Sequence, residues 1–108
     1  MSAPFKLSHT SGLILHTISR GYRYGFDIMD VTGLPSGTVY PALRRLEREG
    51  WVQSNWEDEQ SAQQRPVRKY YRLTRSGNRA LEEALRRYPL LGQIAPRDKA
   101  QPRARSRA

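Results

Sequence analysis

At 108 residues and 37% hydrophobic content, the chain can bury one modest core and has little left to enclose a deep catalytic cleft. Its 19 Lys and Arg against 10 Asp and Glu give a formal charge of +9 and a pI near 10.6, which favours polyanionic partners, nucleic acid before acidic membrane surfaces. No cysteine is present, so disulfides and thiolate metal sites are excluded; no stretch approaches a signal peptide or the roughly 20 apolar residues of a membrane span, and a soluble cytoplasmic protein is expected.

Residues 1–6 read as a short N-terminal arm. Leu7, Leu13, Ile14, Leu15 and Ile18 then suit a helix buried on more than one side, with Ser8 or Ser11 as its N-cap and Arg20-Gly21 as its end. A second, short helix is expected over about Tyr24 to Val31. The turn TGLPSG follows, with Gly33, Pro35 and Gly37 within five residues. A third helix runs from Ser36 or Gly37 to Glu49 and stops at Gly50, which can adopt the left-handed conformation that terminates helices.

Beyond Gly50 the period changes. Trp51 to Glu57 lacks helical spacing, 58–66 is polar and loop-like, and Val67 to Leu73 is rich in strand formers, with Val67, Lys69, Tyr71 and Leu73 on one face. Two strands around a polar loop predict a hairpin. Thr74 caps a fourth helix striped by Leu81, Ala84, Leu85 and Tyr88; Pro89 breaks it, and PLLGQIA continues as a second helical piece. The expected fold is mainly α with a small β-hairpin (α+β), a winged helix-turn-helix of order α-α-α-β-β-α. Residues 7–75 form the DNA-binding domain, 76–95 a C-terminal helical dimerisation segment and 96–108 a disordered basic tail. That tail carries a net +4, which leaves +5 on the rest of the chain.

The third helix is the most informative. At 100° per residue, Val39, Ala42, Leu43 and Leu46 fall within one arc of about 100° and form a core stripe. The opposite arc holds Gly37, Pro41, Arg44 and Arg48, flanked by Tyr40 and Arg45. An apolar side that docks the helix and an outer side that offers guanidinium groups to guanine edges or phosphates are what major-groove insertion requires. Ser36, Thr38 and the first-turn amides suit a phosphate, because a helix N-terminus favours anions. Pro41 removes one internal hydrogen bond, so a loosened turn is expected there. The same arginines also suit a plain solvated face, with Glu47 and Glu49 as partners. In the hairpin, Arg65, Arg68 and Lys69 stand where the loop meets the return strand and can reach a phosphate strand or the minor groove, or serve only as solubilising charge. Glu57, Asp58 and Glu59 on the outgoing strand leave only the return half to face DNA.

SGTVYPALRRLEREGWV (36–52) followed by RPVRKYYRLTRSG (65–77), with YGFDIM (24–29) before them, resembles the PadR family of bacterial winged-helix regulators over about residues 10–85. The resemblance implies a homodimer, usually a repressor, on a dyad-symmetric operator of double-stranded DNA, with a small-molecule effector such as a phenolic acid or a multidrug-like compound. It also implies DNA contacts at Thr38, Tyr40 and the basic wing residues, and a hairpin built by Tyr70, Tyr71 and Leu73. Two departures stand out: a shorter connection between the second and third helices, and a short, Pro89-interrupted C-terminal region in place of a long dimerisation helix. Leu81, Leu85, Tyr88 and Leu91, with Leu90 and Ile94, pair either with a partner subunit or with the chain's own core.

Nothing points to catalysis or a cofactor. His9 and His16 are two turns apart with no cysteine or carboxylate cluster beside them, and GYRYG (21–25) lacks the Lys-Ser/Thr of a P-loop. Trp51 and Trp56 serve either core or ligand. Two other classes of function fit the same residues: a non-specific or architectural DNA-binding protein, and a winged-helix adaptor for proteins.

Overall fold

The computed structural model describes residues 7–58, 60 and 65–94. The N-terminal arm, most of the wing loop and the basic tail lie outside these residues. Helix α1 (His9–Ser19) begins at Ser8, whose side chain accepts a hydrogen bond from the Ser11 amide at 3.0 Å. It is the central post of the fold. Ile14, Leu15 and Ile18 are buried, and Thr17 satisfies its buried hydroxyl on the Leu13 carbonyl at 2.8 Å.

Helix α2 (Gly25–Thr32) ends at Gly33 in the left-handed conformation, φ 78°. Pro35 then leads directly into α3 (Ser36–Arg48), which runs on through Pro41. Thr38 and Val39 both donate to the Pro35 carbonyl, so the first turn mixes i→i−3 with i→i−4 bonding. Gly50, at φ 81°, reverses the chain, and the Trp51 amide reaches back to the Leu46 carbonyl at 2.9 Å in a Schellman-type close.

Strands β1 (Val52–Trp56) and β2 (Lys69–Leu73) pair antiparallel, from Val52 opposite Leu73 to Trp56 opposite Lys69. The other edge of β2 is not bare: Tyr24 bridges Tyr70, and the Tyr71 amide donates to the Arg23 carbonyl at 2.8 Å. The hairpin is therefore stitched to the segment that enters α2. Thr74 caps α4 (Arg75–Arg87) by accepting from the Gly77 amide and also donates to the Gly50 carbonyl, tying the start of α4 to the end of α3. Pro89 separates α4 from the short α5 (Leu91–Ile94).

One core joins all of these elements, with Ile28 from α2, Val52 and Tyr71 from the hairpin, and Leu81 and Ala84 from α4 packed around α1 and α3. The observed order is that of a winged helix-turn-helix, mainly α with one two-stranded antiparallel hairpin. Among the described residues, no helix is long and apolar enough to cross a membrane, and no group of His, Asp and Glu could hold a metal ion.

Candidate nucleic-acid interface

The stripe on α3 is fully seated: Val39, Ala42, Leu43 and Leu46 are at most 2% exposed. With four side chains fixed inside, the rotation of the helix about its axis is fixed too. Arg44, Arg45 and Arg48 are thereby directed outward, and all are exposed. No salt bridge among the described residues engages Arg44 or Arg48. Glu47 bonds the Ser54 hydroxyl at 2.7 Å, which links α3 to β1. At the other end, α3 starts without a side-chain cap or an acidic residue in its first turn. Ser36 and Thr38 therefore stand in the first turn of a positive helix terminus that carries no acidic residue of its own.

Tyr40 is half-exposed, and its ring lies over the Cα of Gly25, where a β-carbon would overlap it. This contact joins α3 to the start of α2. Tyr40, Phe26, Arg68 and Lys69 together border one open cleft of about 190 Å³, so α3 and the root of the wing share a continuous surface. Two cation–aromatic contacts shape it. The Arg68 guanidinium lies 4.6 Å from the centroid of Phe26, and the Lys69 ammonium 5.5 Å from that of Trp56. Phe26 and Trp56 are exposed at 44% and 65%. Two of the four exposed large hydrophobics among the described residues thus sit beneath basic groups expected to meet DNA. Neither aromatic was expected there, because the cations that cover them come from distant positions in sequence.

The root of the wing is held by Glu57. Its carboxylate side chain is only 6% exposed and accepts four hydrogen bonds: from Arg65 Nη1 (2.9 Å) and Nη2 (3.1 Å), from the Tyr24 hydroxyl (2.6 Å) and from the Arg68 amide (3.1 Å). Arg65, then Tyr24, hold its pKa down to about 2, and the Tyr24 hydroxyl is raised in turn by donating to the carboxylate. The structure thus unites Arg68 and Lys69 with α3, but turns Arg65 toward the protein. Sequence reading assigned Glu57 only a place away from DNA and missed its role as the acceptor at this junction.

The C-terminal residues expected to mediate dimerisation pack within the chain. Leu81 and Leu91 are buried in the core, and Leu85 and Tyr88 are half-buried against it. Leu91 sits on Gly12, and the Tyr88 hydroxyl donates to the Leu7 carbonyl at 2.9 Å. Leu90 remains 63% exposed beside them. Trp51 packs against the core, and His16 is a buried helix residue.

The transcriptional regulator PadR-like family model matches residues 14–83, which span all of α2, α3 and the hairpin. Among solved structures, the chain is similar to a PadR family transcription regulator from Clostridium difficile R20291, with 28% identity, 81% of this chain and 94% of that one covered, and a TM-score of 0.68. It is also similar to a PadR-like transcription factor from Bacteroides fragilis (27% identity, 77% and 82% covered, TM-score 0.64) and to a PadR family transcriptional regulator from Eggerthella lenta DSM 2243 (29%, 79% and 79%, 0.59). No curated protein matches the chain closely enough to add to this. A fold of this order, an α3 seated as described and a family model spanning both lead to one conclusion: the chain belongs to the PadR-like family of transcriptional regulators.

Proposed function

We propose that this regulator is a homodimeric repressor that reads a dyad-symmetric operator. The observation that carries the reading is the outward face of α3, with Arg44 and Arg48 outside any salt bridge among the described residues and continuous with the basic surface of the wing. In this reading Arg44, Arg45 and Arg48 meet base edges and phosphates in the major groove, with Tyr40 beside them. Ser36 and Thr38 bind a phosphate at the helix start, and Arg68 and Lys69 hold the flanking backbone. Leu85, Tyr88 and the exposed Leu90 supply the apolar edge for a second copy. Two copies then present their α3 helices to half-sites roughly 34 Å apart or a multiple of it.

The test is selection of bound fragments from random duplex DNA at about 150 mM salt, where sequence-independent attraction is weakened. Full-length protein is compared with a 1–95 truncation. An inverted repeat enriched by both supports the reading. Binding without enrichment that disappears with the tail indicates a non-specific DNA coat, and no binding by either indicates a protein adaptor.

A further inference from the structure

Arg65 is basic and stands next to the wing of a transcriptional regulator, yet both Nη atoms of its guanidinium are already engaged. Both Nη atoms bond Glu57, and Nη1 also reaches the Pro66 carbonyl at 3.2 Å. Resting on the DNA-binding reading above, we propose that Arg65 and Glu57 form a clasp that positions the wing for DNA, and that Arg65 itself does not grip a phosphate.

Three features of the junction support this. The pair joins Glu57, just past β1, to Arg65, on the approach to β2, so the two described flanks of the wing are fixed relative to each other before DNA arrives. Glu57 also ties the loop flanks to the body: Tyr24, at the entry to α2, donates to the same carboxylate, and Arg68, whose side chain covers Phe26, donates its amide. The main chain that carries Arg68 is thus held by the same carboxylate that holds Arg65. Finally, a phosphate that drew Arg65 away would strip two donors from a carboxylate side chain that is only 6% exposed. Losing a bidentate, charge-assisted partner at such a site opposes the exchange.

The two roles predict opposite signs. A phosphate-gripping Arg65 would be freed by Glu57→Gln and bind DNA more tightly; a clasp would be undone by it. The experiment measures affinity for the enriched duplex across a salt series for the wild type, E57Q, R65A, R65K, the E57Q/R65A double variant and R68A. Thermal melts check that each variant is folded. E57Q and R65A are expected to weaken binding about tenfold each, and the double variant no more than the weaker single. Both singles should keep the wild-type dependence on salt, while R68A lowers the slope by about 0.9, the value of one phosphate contact. R65K keeps the charge but loses the two-pronged geometry, so it should not restore affinity.

Tighter binding by E57Q, or a slope reduced by about 0.9 in R65A, overturns the clasp. A second readout needs no DNA: the Arg68 amide, bonded to Glu57, should exchange its proton at least about tenfold faster in E57Q, and in Y24F to a smaller extent. Unchanged exchange also overturns the proposal. Wild-type protein that binds no duplex sinks the DNA reading alone, and the exchange rates still decide whether the clasp exists.

Discussion

The α-carbon of Gly77 faces the carbonyl of Trp51 so closely that a β-carbon would overlap the carbonyl oxygen. The same oxygen accepts the Thr74 amide at 3.1 Å. The first turn of α4 therefore meets the chain between α3 and β1 backbone to backbone, with no flexible side chain to give way. Gly77→Ala is expected to cost about 3 kcal/mol or more, as overpacking against main chain does. Urea denaturation checks this, and a loss within 0.5 kcal/mol (roughly what a surface change costs) would count against so close a contact.

Gly25→Ala presents the opposite case, since the obstacle is the far end of the Tyr40 ring. The ring can swing aside, so stability should change little while the surface shared by α3 and the wing is disturbed. Operator affinity is expected to fall more than thermal stability. Equal effects on both would mean that Tyr40 cannot move.

Arg44→Ala is expected to lower specific binding by about 1–3 kcal/mol and to leave binding to unrelated duplex nearly intact. A competition titration with operator and random DNA measures both quantities. Equal losses would assign Arg44 to the phosphate backbone instead of a base.

Leu91 is fully buried, and its side chain lies 3.1 Å from where a β-carbon on Gly12 would stand. Leu91→Ala should cost about 2–5 kcal/mol at any protein concentration, because the contact lies within one chain. Leu90→Ser, by contrast, should leave the melt of the dilute protein unchanged and weaken self-association in sedimentation. If the two variants exchanged these phenotypes, the C-terminal packing described here would be wrong.

Two pH effects follow from burial and pairing. Burial, with help from the nearby charge of Arg20, lowers the His16 pKa below its usual 6.5. The unfolded chain then takes up the proton first, so stability should decline as pH falls from about 6.5 toward the lowered folded value. His16→Asn should flatten that slope. Glu57, lowered to about 2 from 4.5, acts in a different window: its contribution is intact above about pH 4.5 and is lost as pH falls toward 2. Fluorescence of Trp56, at the wing, should report the second transition and not the first.

The helices and their order were legible because each is a local pattern. The four-residue stripe of α3, the Thr74 cap and the reversal at Gly50 depend on neighbours within a few positions, and all three stand as read. The outward direction of the α3 arginines followed from the stripe by geometry alone. The wing junction was not legible. Tyr24 and Glu57 are 33 positions apart, and no periodicity links a tyrosine before one helix to a carboxylate after a strand. Arg65 looked like any other basic residue near a loop, since sequence shows charge but not what already neutralises it. In the C-terminal stripe, sequence marked Leu81, Leu85, Tyr88 and Leu91 as apolar, but periodicity could not say whose core they enter.

The seating of α3 separates two properties that proteins often trade against each other. Its inner residues hold the fold, while Gly37, Arg44, Arg45 and Arg48 point away from the core and are exposed. Of those outer positions, Gly37, Arg44 and Arg48 can be varied together without disturbing the stripe that anchors the helix. Under the proposed DNA-reading role, a library confined to them would sample new target sequences at nearly constant folding free energy, and the scaffold could be readdressed without being redesigned.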